Sequence, residues 1–174
     1  MCEKYGLPFH RIEEEYAVCR RLLRDYKAGD GRALAQLFYE TVHTVNAQDY
    51  TKEQLKAWAT GRVDLADWNR RFQESDTVVV QECGIVLGFG NMQQDGCLDM
   101  LYVHKDRQGQ GIGAQIVQAL ETRALSRGVR RFSVYASMTA RPFFERLGYG
   151  AAVKNSVVRG GVTLENWRME KQVE

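Results

Sequence analysis

The sequence is poor in the residues that usually mark a metal, a disulfide framework or a membrane span. Its three histidines, His10, His43 and His104, stand in no metal-ligand spacing, so no metal is expected. The four cysteines, Cys2, Cys19, Cys83 and Cys97, lie far apart and form no C-x-x-C pair. A chain of this length holds together without staples, so they point to a reducing, cytoplasmic setting. No apolar run approaches the roughly 20 residues of a membrane helix, and the opening MCEKYGLPFHRIEEE has no apolar signal stretch. There is no Pro/Ser-rich linker, repeat or low-complexity tract. Lys and Arg number 24 against 22 Asp and Glu, with no basic block, so neither nucleic acid nor a membrane is expected as a partner.

What is present suits one folded unit. With 174 residues, 44% apolar and 26% charged, the chain can build a core and stay in solution. The expected organisation is an N-terminal extension over residues 1–18 and a single domain over 19–174. Arg20 to Tyr26 reads equally as helix or strand. Asp30 is the expected N-cap of a helix through Leu34, Leu37, Phe38, Thr41, Val42 and Val45, whose steps keep one face apolar. Thr51 and Gln54 form a capping box before Leu55 and Trp58, and Leu65, Trp68 and Phe72 continue in helical spacing.

At Thr77 the pattern changes to strands. Thr77 to Gln81, Ile85 to Met92 and Cys97 to Val103 form a meander turned at Gly84 and at Asp95-Gly96. A helix follows through Ile112, Ile116, Val117, Leu120 and Ala124, stopped by Gly128. Arg131 to Ala136 is a strand, Ala140 to Leu147 a short helix, and Tyr149 to Val157 with Val162 to Met169 a closing hairpin. This order predicts an α+β fold with a mixed sheet, in which Cys97 to Val103 and Arg131 to Ala136 are a parallel crossover pair.

The most informative stretch joins that pair. In Gln108-Gly-Gln-Gly-Ile-Gly113 a strand runs into three alternating glycines that open an amphipathic helix. Glycines let the backbone fold close around a ligand, and the first-turn N–H groups lack partners inside the helix. Those donors and the positive end of the helix suit a pyrophosphate. Gln108 can cap the loop. Gly109-x-Gly111-x-x-Ala114 also fits a degenerate dinucleotide fingerprint, but the acidic residue expected in the next strand is missing from Arg131-Phe-Ser-Val-Tyr-Ala136. The Gly-Lys-Ser/Thr of a nucleoside-triphosphate loop is absent as well.

Gln108 to Gly113 resembles the Gln/Arg-x-x-Gly-x-Gly/Ala loop of the GNAT superfamily of acyl-CoA-dependent N-acyltransferases. Ala136-Ser-Met-Thr-Ala-Arg-Pro-Phe-Phe-Glu-Arg-Leu-Gly-Tyr149 is similar to that family's second motif, and the spacing of the two fits. The resemblance runs from about Leu22 to Met169. Phe38 to Trp58 resembles the YafP-type bacterial branch of these proteins.

The resemblance implies a GNAT-like fold, a mostly antiparallel sheet whose parallel strand pair splays apart, and acetyl-CoA as co-substrate. Leu101, Tyr102 and Val103 would be the bulged strand whose backbone takes the pantetheine arm. Gln108, Gly109, Gln110, Gly111, Ile112 and Gly113 would hold the pyrophosphate. Ser137 stands where many relatives have an Asn that contacts pantetheine, and Phe143 would pack beside the cofactor. Many relatives place a Tyr general acid where this chain has Phe144, which cannot donate a proton. Tyr135 is the substitute donor, or else a surface aromatic. A thiol with a pKa of about 8.5 is a tolerable leaving group without one.

An amine attacks only when neutral, so a base is useful. Asp99 is the candidate, alternating with Cys97 and Leu101 onto one face of the strand, or else making a structural hydrogen bond. His43 is the other candidate base, or else structural. The acceptor, a small-molecule or peptide amine, is expected against Tyr39 to Trp58, with His43, Asp49 and Tyr50 as substrate-binding residues. A homodimer is compatible with this reading. The runner-up is a non-catalytic acyl-CoA-binding or sensor module, and a nicotinamide oxidoreductase is the third reading.

Overall fold

The computed structural model describes residues 20–174. The expected extension over residues 1–18 lies outside the described residues, as do Cys2, His10 and Cys19. The described chain runs β1 (Leu22–Asp25), α1 (Gly31–Thr44), α2 (Lys52–Trp58), α3 (Leu65–Glu74), β2 (Asp76–Glu82), β3 (Ile85–Met92), β4 (Cys97–Val103), α4 (Ile112–Ser126), β5 (Arg131–Ser137), α5 (Arg141–Arg146), β6 (Gly150–Arg159) and β7 (Val162–Gln172).

The helices form where the apolar spacing and the caps agree. α1 buries Leu34, Leu37, Phe38, Thr41 and Val42 along one stripe. α2 opens on the expected box, with Gln54 N–H donating to Thr51 Oγ1 at 3.2 Å and Thr51 N–H to Gln54 Oε1 at 3.0 Å. α3 starts at Asp64, whose carboxylate accepts from the Ala66 and Asp67 N–H groups. Asp30 differs from its expectation. It stands before α1, yet its carboxylate accepts instead from the Lys27 N–H at 2.8 Å and from the Arg24 guanidinium. That charge-assisted pair outcompetes a helix cap.

One seven-stranded sheet in the order β1-β2-β3-β4-β5-β7-β6 carries the fold. Every neighbouring pair is antiparallel except β4 and β5. Arg20 to Tyr26 is settled as strand, with Leu22–Asp25 paired on β2. Cys83 and Gly84, at φ 51° and 77°, turn β2 into β3. Cys83 is disulfide-bonded, which corrects the expectation of a chain without staples.

α4 covers one face of the sheet through Ile112, Ile116 and Leu120, against Val78, Val80, Leu98 and Phe132. α1, α2 and α3 cover the other, where Leu34, Phe38, Trp68 and Phe72 meet Val79 and Phe89. α4 lies close to the sheet because β3 presents glycine to it. A Cβ at Gly88 would stand 2.9 Å from Ile112 Cγ2, at the first turn of the helix. Among the described residues no helix is long and apolar enough to cross a membrane.

Two irregularities shape the centre. The parallel ladder of β4 and β5 holds only at Cys97↔Ser133 and Leu98↔Val134, and beyond it the strands separate. Across β3, Met92 pairs with Leu98 and Asn91 with Met100, so Asp99 is the extra residue of a bulge. A bulge reverses the alternation. Leu98, Leu101 and Val103 pack on the α4 side, while Met100 and Tyr102 pack on the α1 side. The expectation that Cys97, Asp99 and Leu101 share one face is therefore corrected: Asp99 bonds Arg71 of α3, and Leu101 points to α4.

Candidate active site

The separation of β4 from β5 opens a cleft of about 720 Å³. Its walls are Asp99 to Val103 of β4 and Val134 to Ser137 of β5. Gln108, Gly109, Gly111, Ile112 and Gly113 close one end, and Phe143 and Phe144 of α5 line it from the side. The two sequence motifs, more than twenty residues apart in the chain, thus share one cavity. A smaller hollow of about 450 Å³, bounded by Ala35, Phe38, Tyr39, Gly61 and Val63, contains none of the predicted cofactor residues.

The backbone of β4 is available to this cleft. A Cβ at Gly88 would sit 3.0 Å from the Tyr102 carbonyl, and one at Gly90 3.0 Å from the Met100 carbonyl, so both carbonyls face β3. Alternation in an antiparallel ladder turns Leu101 and Val103 the other way, toward the gap. The Val103 carbonyl is already taken, by Thr41 Oγ1 at 3.0 Å and by Gln108 Nε2 at 2.7 Å. Gln108 also reaches the His104 carbonyl at 3.3 Å, so its amide ties the loop to the strand, as a capping residue should.

The glycine turn is shaped for close approach. Gly109 and Gly111 have φ of 71° and 76°, and no heavy atom lies within 4 Å of where a Cβ would be on either. Gly111 is the residue before α4, so the turn delivers the unpaired first-turn N–H groups to that open space. At Gly113 a Cβ would stand 3.2 Å from Phe143 Cζ, which brings α5 against the mouth of the loop. Gln110 does not line the cleft; its carbonyl and side-chain oxygen each accept from Arg21 at 3.1 Å. Arg107 and Arg146 are cationic lining residues that sequence reading missed.

On β5, Phe132, Val134 and Ala136 enter the α4-side core, which leaves Ser133, Tyr135 and Ser137 on the opposite face. Ser137 Oγ accepts from the Ala140 N–H at 3.1 Å and holds the turn into α5. Tyr135 is 52% exposed. Phe144 is buried, with its ring centroid 5.3 Å from that of Tyr149. Tyr102 packs edge-on to Phe38 at 4.8 Å, and burial holds its phenol far above the usual value, so it stays protonated. Burial likewise pushes the Cys97 thiol up.

Asp99 lines the cleft and accepts on both oxygens, from Arg71 Nη2 at 2.5 Å and from Asn91 Nδ2 at 3.1 Å. Neither donor was singled out from the sequence. Asn91 had a signal, a lone amide in the apolar run Ile85–Met92, whereas nothing local links Arg71 to a residue 28 positions on.

The three residues expected at the acceptor lie outside the cleft lining. His43 Nε2 bonds the Ala59 carbonyl at 2.9 Å, and its ring lies against Tyr39. The buried Tyr50 hydroxyl donates to the Glu165 carbonyl at 2.7 Å and accepts from the Met138 N–H at 3.0 Å, so it is fully used within the fold. Asp49 accepts from Thr139 Oγ1 at 2.7 Å, and Thr139 does line the cleft, beside Asn46.

Comparison with known proteins agrees with this geometry. The chain is 27% identical over 147 residues to the uncharacterized N-acetyltransferase YafP of Escherichia coli K12, covering 84% of this chain and 93% of that protein. Its fold superposes on a GCN5-related N-acetyltransferase from Rhodopseudomonas palustris with a TM-score of 0.83 and 34% identity, over 87% of this chain and 95% of the other. The PaiA N-acetyltransferase of Thermoplasma acidophilum, solved in complex with coenzyme A, shares the fold at a TM-score of 0.72 and 14% identity, over 88% and 99%. With residues 46–171 matching the acetyltransferase (GNAT) domain, a span that contains both splayed strands and the glycine turn, the chain belongs to the GNAT acetyltransferases.

Proposed function

We propose that the protein moves the acetyl group of acetyl-CoA to the amine of a small molecule or peptide, in the cleft between β4 and β5. The observation that carries this reading is the separation of the two strands directly in front of the glycine turn. The groups along the cleft support this reading. The open space over Gly109 and Gly111, with the first N–H groups of α4, suits a pyrophosphate. The edge of β4 at the Leu101 backbone suits an extended amide-bearing arm, which would join the sheet as an added strand. Phe143 and Ser137 border that arm. Acetyl-CoA supplies an activated acyl group and a thiol leaving group.

The residues of this chain then divide the work. The Leu101 N–H, at the mouth of the splay, stabilises negative charge on the reacting carbonyl oxygen. Asp99 takes a proton from the acceptor's ammonium, which frees its lone pair. As the C–N bond forms and the C–S bond breaks, the nitrogen gives up a second proton to solvent, while Tyr135 donates its own to the sulfur and regains one from solvent. The first proton passes from Asp99 to solvent.

The test is a thermal-shift comparison followed by turnover. CoA and acetyl-CoA at 100 times the dissociation constant stabilise the fold by about 2.7 kcal/mol, and NAD does not. Free thiol then appears from acetyl-CoA when an amine mixture is added. Stabilisation by NAD and not by CoA overturns the reading.

A further inference from the structure

We infer that the acceptor carries a carboxylate close to its amine, and that Arg71 binds this anion while Asp99 receives the amine. The inference rests on the acetyl-transfer reading above and names the substrate class of the same site.

The fold holds Arg71 and Asp99 as a fixed pair. Asn91, on β3, is fully buried, and its Nδ2 reaches both Asp99 Oδ2 and Ser75 Oγ at 3.1 Å. Ser75 Oγ in turn bonds the Arg71 carbonyl at 2.9 Å. One chain of side chains therefore ties the carboxylate on β4 to the backbone of α3 that carries Arg71. The cost is visible, because the Asn91 Oδ1 atom is buried without a partner. The pair is not sealed off. Arg71 keeps 42% of its side chain exposed and Asp99 20%, and Asp99 faces the cleft where the acyl group would react.

A stable surface ion pair gains too little to explain such support. A carboxylate on the cleft wall with a half-exposed guanidinium bonded to it is instead the mirror of an amino acid's ammonium and carboxylate. The guanidinium is a planar fork with more N–H donors than its single bond to Asp99 consumes, and such forks match carboxylates.

The arrangement also selects among acceptors. Asp99 Oδ1 accepts from Arg71 and Oδ2 from Asn91, and each oxygen keeps a further lone pair for an incoming ammonium. An acceptor with a carboxylate beside its ammonium engages both members of the pair, whereas a simple amine engages Asp99 alone.

The test measures thiol release from acetyl-CoA with matched acceptors, amino acids and the amines left by removing their carboxylate, in the wild type, Arg71→Gln and Arg71→Lys. The wild type prefers the carboxylate-bearing member of each pair by about tenfold or more in kcat/KM, the scale of one charged hydrogen bond. Arg71→Gln abolishes that preference by raising KM for the amino acid, leaves KM for acetyl-CoA unchanged, and Arg71→Lys recovers part of it. Equal use of both members by the wild type, or equal loss for both in Arg71→Gln, overturns the inference and leaves acetyl transfer standing. A wild type that binds acetyl-CoA yet releases thiol with neither member removes acetyl transfer, and this inference with it.

Discussion

Gly90 on β3 and Ile116 on α4 touch so closely that a Cβ on the glycine would stand 2.7 Å from Ile116 Cγ2. The same atom would be 3.0 Å from the Met100 carbonyl, which belongs to the backbone and cannot swing aside. The contact sets how near the first turns of α4 lie to the sheet, and so where the glycine turn delivers its N–H groups.

Gly90→Ala is therefore expected to destabilise the fold by about 1–3 kcal/mol, the usual cost of overpacking. For a chain of this size that lowers Tm by roughly 5 °C. Calorimetry of the purified variant reads it directly. A Tm equal to wild type would mean that the helix shifts freely on the sheet.

Gly111 makes the opposite demand. Nothing lies near its Cβ position, but its φ of 76° is left-handed backbone that a branched side chain resists. Gly111→Val is expected to cost about 1–2 kcal/mol of stability. CoA affinity falls by more than about tenfold, because the turn no longer offers its N–H groups. Isothermal titration with CoA separates the two effects. Wild-type affinity in a folded Gly111→Val protein would take the turn out of the cofactor site.

The sequence made most of the architecture legible because the signals were local. The Thr51–Gln54 box, the Asp95-Gly96 turn and the glycine turn depend on residues within a few positions of one another. β4 was bounded correctly at Cys97–Val103. Its faces were not, because the bulge at Asp99 arises from pairing with Asn91 and Met92 and leaves no mark in β4 itself. The acceptor side was least legible for the same reason. Tyr50 has the composition of a pocket residue, yet its hydroxyl bonds backbone atoms of Glu165 and Met138, far away in sequence. Asp30 was misjudged because Arg24, rather than a helix N–H, claims its carboxylate.

That Asp30–Arg24 pair gives the stability of the fold a pH dependence. Burial pushes the Asp30 carboxyl up, but the hydrogen bonds from Arg24 and the Lys27 N–H, with the charges of both residues, more than offset this. Its folded value lies below the usual carboxylate range. A depressed carboxyl contributes stability fully above the unfolded value of about 3.9, and loses it as pH falls through the folded value. Asp30→Asn is expected to cost about 2 kcal/mol at pH 7, the scale of a charged hydrogen bond. In urea unfolding the gap between variant and wild type should close as the acid limb is entered. A gap that is constant with pH would assign the loss to packing.

The proton donor to the departing sulfur separates Tyr135 from Phe144. Both line the cleft, from β5 and from α5, but their surroundings differ. Phe144 is 2% exposed and wedged between Phe143 and Tyr149, with centroids 5.0 and 5.3 Å away. Tyr135 is half open to solvent, so removing its hydroxyl should move Tm very little. Tyr135→Phe is expected to keep wild-type CoA affinity and to lower kcat by about a hundredfold, the lower end of general-acid contributions. Phe144 lines the same cleft, so Tyr135→Phe combined with Phe144→Tyr is expected to recover part of the lost rate. Single-turnover thiol release, monitored with CoA affinity in the same preparations, distinguishes loss of chemistry from loss of binding. If Tyr135→Phe turns over at the wild-type rate, the thiolate leaves unassisted, and its proton comes from solvent.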